Sequence, residues 1–174
     1  ASYPVLQATP LEGAIERDLA SRMPLEEQFR EFGQALPPKA QDRLAQRRLQ
    51  QVLTERPGPV LLAFWDSDYQ PGLRALLVAR KLAKTYEGSF PVSIVLIATD
   101  TDPQRWQRSI EQKKLYLGTH LRVGSGLQAE ICRRYGVTAV PYVVLLDARR
   151  NLRYAGEKLP KAQKIIHLLE EIQR

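Results

Sequence analysis

The sequence predicts an α/β fold in which helices cover a mixed β-sheet. Three short, continuous apolar runs are typical of buried strands, and they occupy residues 60–65, 92–98 and 142–146. Segments with helical periodicity separate these runs, and Gly or Pro residues mark most of the boundaries. At 174 residues, the chain has the length of one domain with an extension.

Residues 1–56 are expected to form a helical extension of three helices. The predicted helices run from Pro10 to about Arg22, from Pro24 to about Leu36, and from Lys39 to Glu55. Thr9 is expected to cap the first helix. One face of the second carries apolar residues at helical spacing, namely Leu25, Phe29, Phe32 and Leu36. We expect these apolar faces to pack on the rest of the protein.

Residues 57–174 are expected to form the α/β domain, in which strands and helices alternate. The predicted order is strand Val60–Trp65, helix Pro71–Tyr86, strand Val92–Ala98, helix Pro103–Lys113, a loop or short strand in Leu115–Val123, helix Ser125–Tyr135, strands Tyr142–Leu146 and Asn151–Tyr154, and helix Leu159–Arg174. Asp102 and Ser125 are expected to cap their helices, and Gly136 to end one. The final hairpin makes the sheet mixed.

Composition narrows the function classes. The net charge is +7, but the basic residues are dispersed in pairs and form no binding tail, so we expect no nucleic-acid partner. One cysteine, Cys132, and two histidines exclude an intrachain disulfide and Cys- or His-rich metal sites, so no metal or cofactor is expected. No apolar run approaches the roughly 20 residues of a membrane helix. The chain begins at Ala1, which favours removal of a preceding segment that the sequence does not show.

Two segments resemble the thioredoxin fold. Pro59–Trp65 is similar to the strand that leads into the thioredoxin active site, and Tyr135–Pro141 resembles the segment that carries that family's cis-proline. Their spacing and the insertion around residues 100–123 look most like bacterial TlpA-type thiol-disulfide oxidoreductases. The resemblance covers Pro57–Arg174. It implies a thioredoxin-like three-layer sandwich, a cis peptide bond at Val140–Pro141, and a periplasmic or other cell-envelope location.

The sequence departs from this family at the residues that carry its chemistry. In the family, a Cys-x-x-Cys motif opens the helix after the first strand, and the helix N-terminus lowers the pKa of a thiol. Here Tyr69 and Gly72 stand at the two cysteine positions, and Ala63 stands where many thioredoxins have a buried acid. Because disulfide exchange requires a thiolate and a phenol ionises only at about pH 10, we expect no redox activity from this site.

Tyr69 and Cys132 each leave an alternative open. In glutathione transferases a tyrosine near the first helix assists a bound thiol, but their helical domain follows the thioredoxin part. We therefore favour Tyr69 as a loop aromatic that closes over the helix start. Cys132 lies beside one apolar face formed by Leu127, Ile131 and Tyr135, which favours a buried structural thiol over a redox role.

The acidic pair and the second tryptophan also allow two interpretations. Asp66 and Asp68 lie close to a helix N-terminus and are expected to cap its amides or to be solvated. Acid–base chemistry or a cation site would need further ligands, and no second cluster converges on them. Trp106 is expected to pack in the core, although its basic neighbours Arg105 and Arg108 leave a base-stacking role open.

We expect a redox-inactive, thioredoxin-like binding domain whose partner is an extended protein or peptide segment. In thioredoxin-like proteins the residue before the cis-proline pairs its main chain with such a segment, which implies the same for Val140. The candidate groove residues are Trp65, Asp66, Asp68, Tyr69, Val140, Pro141 and Tyr142. Their aromatic rings would form a rim, and the two aspartates would favour a basic ligand. Three alternatives stay open: an empty, vestigial surface, an oxidoreductase-related protein acting with external thiols, and nucleic-acid binding.

Overall fold

The computed structural model describes residues 25–68, 92–116 and 118–158, together with Lys164, His167 and Leu168. The predicted helices Pro10–Arg22 and Pro71–Tyr86 and most of the predicted helix Leu159–Arg174 lie outside the described residues. Of that last helix, Leu168 packs against the core.

The described part is a five-stranded sheet with flanking helices. In chain order its elements are α1 (Leu25–Phe32), α2 (Pro38–Glu55), β1 (Val60–Trp65), β2 (Ser93–Ala98), α3 (Pro103–Gln112), β3 (Thr119–Arg122), a 3-10 turn (Gly126–Gln128), α4 (Glu130–Arg134), β4 (Tyr142–Leu146) and β5 (Leu152–Gly156). The strand order is β3-β2-β1-β4-β5. Strand β1 pairs in parallel with β2 and antiparallel with β4, so the predicted mixed sheet is confirmed.

Two of the predicted helix ends are confirmed. Asp102 caps α3, because its carboxylate accepts the main-chain N–H groups of Gln104 and Arg105. Gly136 follows α4 with a φ of 71°, a left-handed conformation that favours glycine. The undecided segment Leu115–Val123 contains strand β3, which pairs in parallel with β2 at the sheet edge.

Two helix predictions are wrong in their extent. Helix α1 ends at Phe32, and Leu36 lies beyond it with 37% of its surface exposed. The predicted helix Ser125–Tyr135 is divided into the 3-10 turn and α4. Ser125 makes no capping bond, because its main-chain N–H and its hydroxyl both donate to the carboxylate of Asp42 on α2.

The apolar faces of α1 and α2 join the central core, as expected. Phe32, Leu49 and Val52 are buried in the same cluster as the residues of β1 and β2. Trp106 of α3 is fully buried, and the ring of Phe29 meets it edge-on with 5.6 Å between ring centroids. Trp106 is therefore a packing residue and not a surface for stacking bases. Each such buried side chain contributes about 1.5–3 kcal/mol to stability.

A buried arginine attaches the helical extension to the edge of the sheet. Arg122 of β3 is 2% exposed. Its Nε donates to the carbonyl of Phe32 at 2.8 Å, and its Nη2 donates to the carbonyl of Gln34 and to Oε1 of Gln41 at 3.2 Å. Its Nη1 donates to the carbonyl of Asp100 at 3.2 Å. The guanidinium thus joins the end of α1, the start of α2 and the end of β2.

Acidic side chains compensate part of the cost of burying this cation. Burial lowers the pKa of Arg122, whereas the negative charges of Asp100, Asp102 and Asp42 raise it. Asp42 also holds the loop after β3, since its Oδ1 accepts the N–H groups of Gly124 at 2.7 Å and Ser125 at 3.0 Å. Helices α1 and α2 therefore contact the sheet through both charge and packing.

A second arginine secures the other end of α2. The Nε of Arg150 donates to the carbonyl of Leu53 at 2.9 Å, and its Nη1 donates to the carbonyl of Gly58 at 2.6 Å. Its Nη2 bonds the carbonyl of Arg56. Because the last carbonyls of a helix lack intrahelical partners, Arg150 satisfies groups that α2 and the segment before β1 leave open.

Cys132 is a core residue of α4. The residue is buried, and its Sγ lies 3.6 Å from the carbonyl of Gly126. Burial, with a smaller contribution from the charge of Asp42, raises the pKa of the thiol from 9.0 to about 11. The thiolate that attacks disulfides is therefore almost absent at neutral pH.

We predict that Arg122→Met lowers the free energy of unfolding by about 3 kcal/mol, because it leaves several buried acceptors without a donor. The matched control is Arg133→Met, which removes an exposed cation of α4 and should change stability by less than about 0.5 kcal/mol. Denaturant unfolding followed by circular dichroism measures both. Equal effects of the two variants would show that Arg122 does not hold the extension in place.

We also predict that Cys132 reacts with a disulfide reagent only when the protein unfolds. Labelling of the native protein should be negligible at mildly alkaline pH and complete in denaturant. Because the unfolded thiol ionises at lower pH, the protein should lose stability as pH rises from 9.0 to about 11, and Cys132→Ala should lack this part of the loss. Rapid labelling of the folded protein would contradict the burial of this thiol.

Candidate functional site

Two loops meet at one end of the sheet. Strands β1 and β4 are antiparallel neighbours, and Phe64 pairs with Tyr142. The β1 turn (residues 66–68) therefore lies next to the proline loop (residues 138–141). The Val140–Pro141 peptide bond is cis, which confirms the prediction made from the resemblance. The end of β2 reaches the same place, since the N–H of Thr99 donates to the carbonyl of Trp65 at 2.8 Å.

The β1 turn is held by hydrogen bonds from three elements. Oδ1 of Asp66 accepts the N–H of Asp68 at 2.9 Å within the turn. Oδ1 of Asp100, after β2, accepts the N–H of Ser67 at 3.0 Å. Nζ of Lys113, after α3, donates to the carbonyl of Ser67 at 3.0 Å. These contacts give the turn a defined conformation at the site.

The two aspartates of the β1 turn differ in their surroundings. Asp66 is half-buried and accepts the hydrogen bond that closes the turn. Asp68 is exposed and forms an ion pair with Arg105 of α3. The helix that these acids were expected to cap lies outside the described residues. Arg105 therefore neutralises one of the two charges that were expected to attract a basic ligand.

Asp100 is a buried acid that the sequence analysis did not select. It is 7% exposed, and its Oδ2 has no hydrogen-bond partner among the described residues. Burial raises the pKa of this carboxyl, and the charge of Asp66 adds to the increase, whereas the hydrogen bonds from Ser67 and the charge of Arg105 oppose it. Asp100 follows a buried strand, as Asp66 does. This position at the end of a strand could have identified Asp100 as a candidate site residue.

The expected aromatic rim is only partly present. Trp65 is fully buried because β1 is central in the sheet, so it supports the site from below and presents no surface to a ligand. This corrects its assignment to the groove. Val140, Pro141 and Tyr142 are half-buried at the surface, as a groove would require. Tyr69 lies outside the described residues.

The proline loop carries main-chain groups that are open to a partner. Thr138 and Ala139 are exposed, and Val140 is half-buried. Among the described residues, none exchanges a hydrogen bond with the main chain of these three. Because unpaired N–H and C=O groups beside a sheet are suited to pairing with an extended chain, the loop has the chemistry for such binding.

The described residues contain neither a metal-binding cluster nor a membrane-spanning helix. Within residues 25–68, 92–116 and 118–158, no group of three or more His, Cys, Asp or Glu side chains is arranged to hold a metal ion. In the same part of the chain, no helix combines the length and the apolar character needed to cross a membrane.

Comparison with known proteins identifies the family. The sequence model of the thioredoxin-like family matches residues 58–152, which is more than half of the chain. None of the curated proteins compared matches it.

Among solved structures, a thiol-disulfide oxidoreductase from Bacteroides fragilis is similar at 24% identity with a TM-score of 0.55, over 66% of this chain and 83% of that one. The thioredoxin domain of a thiol-disulfide oxidoreductase from Bacteroides vulgatus has 14% identity and a TM-score of 0.54, over 71% and 84%. A thioredoxin-like protein from Aeropyrum pernix has 14% identity and a TM-score of 0.53, over 77% and 98%. These likenesses establish the fold, and with the family match they show that the chain belongs to the thioredoxin-like family.

Proposed function

We propose that this protein is a redox-inactive thioredoxin-like binding domain whose proline loop pairs with an extended segment of a partner protein. The observation that carries the proposal is that no described residue hydrogen-bonds the main chain of Thr138, Ala139 or Val140, which lie beside the β1 turn. Pairing of this kind uses N–H and C=O groups and needs no cysteine. The loss of both thiols therefore leaves this mode of binding available.

The remaining thiol supports the redox-inactive part of the proposal. Tyr69 and Gly72 occupy the positions of the family's two cysteines. Cys132 is buried on α4, and its raised pKa keeps it protonated at neutral pH. Disulfide exchange would need a thiolate with access to its substrate, which neither position supplies.

The charges around the groove favour a basic segment, although less strongly than the sequence suggested. Asp66 is half-buried beside the proline loop, and Asp100 lies beneath the β1 turn. Asp68 forms an ion pair with Arg105 and so contributes little net charge. We propose that the carboxylate of Asp66, which lies beside the proline loop, attracts a basic ligand side chain.

We further propose that residues 57–174 form the thioredoxin-like domain and residues 1–56 its helical extension. A periplasmic or other cell-envelope location is proposed from the resemblance to TlpA-type proteins. Cell fractionation with an antibody to the protein tests the location, and recovery in the cytoplasmic fraction would refute it.

A thiol-disulfide oxidoreductase-related protein that acts with external thiols is the second candidate function. The similarity to structures that are described as thiol-disulfide oxidoreductases favours it. In this alternative, a thiol from a small molecule or a partner protein would perform the exchange while the groove holds the substrate.

We predict that the protein does not accelerate the reduction of insulin disulfides by dithiothreitol. The turbidity of reduced insulin is the readout, and a Cys-x-x-Cys thioredoxin is the positive control. Acceleration that persists in Cys132→Ser would favour the second candidate, in which external thiols react in the groove. Acceleration that disappears in Cys132→Ser would show that the buried thiol is catalytic.

We predict that a basic, extended peptide shifts the backbone NMR signals of Ala139, Val140 and Tyr142. An acidic peptide of the same length is the ligand control. Tyr69→Ala should weaken binding by removing an aromatic contact. Asp66→Asn keeps an oxygen acceptor for the N–H of Asp68 and removes the negative charge, so it should weaken binding of the basic peptide by about two- to fivefold.

Two outcomes would contradict this prediction. If the proline-loop signals stay unchanged while other surfaces respond, the loop is not the binding site. If the basic and acidic peptides bind equally and Asp66→Asn has no effect, Asp66 does not select the ligand.

A further inference from the structure

A concave surface lies where helices α1 and α3 meet, and none of its lining residues belongs to the β1 turn or the proline loop. This α1–α3 cleft has a volume of about 570 Å³. Its lining includes Leu25, Glu26, Phe29, Gln107, Glu111 and Tyr116. Helix α1 precedes residues 58–152, so the part of the chain that matches the family contains only one side of the cleft.

The floor of the cleft is apolar and well supported. Leu25 and Phe29 are half-buried neighbours, one turn apart on α1. The ring of Phe29 rests edge-on against Trp106, with 5.6 Å between the centroids. Tyr116 also lines the cleft and is 56% exposed, which is unusual for a large apolar residue in the described part of the chain. Apolar groups that stay exposed around a concavity are typical of interaction sites.

The rim of the cleft carries more negative than positive charge. Among the described residues, the lining includes two carboxylates, those of Glu26 and Glu111, and one guanidinium, that of Arg30. The whole chain has a net charge of +7. Because the chain as a whole is positive, the negative excess in this lining favours a basic occupant.

The shape of the cleft selects a helical occupant. Its walls are two helices, and each contributes residues one turn apart, such as Leu25 and Phe29 on α1 and Gln107 and Glu111 on α3. A groove between two helices accepts the side-chain ridges of a third. Among the described residues, no strand contributes to this lining, so they offer no strand edge to an extended chain.

We propose that the α1–α3 cleft binds a basic amphipathic helix of a partner protein. The apolar face of that helix contacts Leu25, Phe29 and Tyr116, and its lysines or arginines contact Glu26 and Glu111. This site is separate from the proline loop and does not depend on the function proposed there.

The test is an NMR titration of the full chain with a synthetic helical peptide. Leucines occupy positions i, i+3, i+4 and i+7 of the probe, and lysines fill the rest. The protein has two tryptophans. The indole N–H signal of Trp106, beneath the cleft, is expected to shift, whereas those of Trp65 and the Val140 amide are expected to stay unchanged. A scrambled peptide of the same composition controls for charge alone.

A pair of charge-reversal variants locates the binding. Glu111→Lys should weaken binding of the probe peptide by about five- to tenfold, and Tyr116→Ser should weaken this binding by a similar factor. Glu157→Lys changes the net charge by the same amount at an exposed turn after β5 and should leave the affinity unchanged.

Several results would overturn the proposal. Equal binding of the scrambled peptide, equal effects of Glu111→Lys and Glu157→Lys, or shifts at Trp65 and Val140 in place of Trp106 would each exclude the cleft as the site. Self-association of the protein that Glu111→Lys abolishes would assign the cleft to a second copy. Tighter probe binding by Arg17→Glu/Arg22→Glu would assign it to the N-terminal segment of the chain.

Discussion

The buried guanidinium of Arg122 is the contact on which the arrangement of the described structure depends. A cation in the interior is tolerated only where acceptors surround it. Here these acceptors come from the end of α1, the start of α2 and the end of β2. The helices before the family domain therefore share an interior with the sheet, and the edge strand β3 is covered instead of exposed to other chains.

One residue connects this arginine to the candidate groove. The main-chain carbonyl of Asp100 accepts a hydrogen bond from Arg122, while its side chain accepts the N–H of Ser67 in the β1 turn. The conformation of the turn thus depends on the same strand end that helps to bury the guanidinium. The family's geometry at this end of the sheet is retained in a chain that lacks its two cysteines. The proposed main-chain binding site is based on that combination.

Local patterns were sufficient to predict much of this structure. The strands β1 and β4, the cap at Asp102 and the cis bond before Pro141 depend on neighbouring residues or on the family resemblance. Contacts between residues that are far apart in sequence could not be predicted from such local patterns. Arg122 meets its acceptor Phe32 across 90 positions, and Ser125 meets Asp42 across 83.

In the candidate site, Val140, Pro141 and Tyr142 are half-buried at the surface, whereas Trp65 is fully buried. A tryptophan that ends a strand can lie on either side of the boundary between core and surface. Only the position of β1, with β2 on one side and β4 on the other, decides that it is buried. The ion pair between Asp68 and Arg105 could not be predicted from the sequence for a related reason. Helix α3 approaches the β1 turn only in the folded chain.

The most direct test of main-chain binding compares an extended basic peptide with its backbone N-methylated form by calorimetry. N-methylation at alternate residues removes peptide hydrogen-bond donors but keeps every side chain and charge. If the proline loop pairs with the main chain of its ligand, methylation on the paired edge should weaken binding at least about tenfold, and methylation on the opposite edge should have little effect. Equal affinities for all forms would contradict main-chain pairing at Val140 and would indicate that side chains alone bind the ligand.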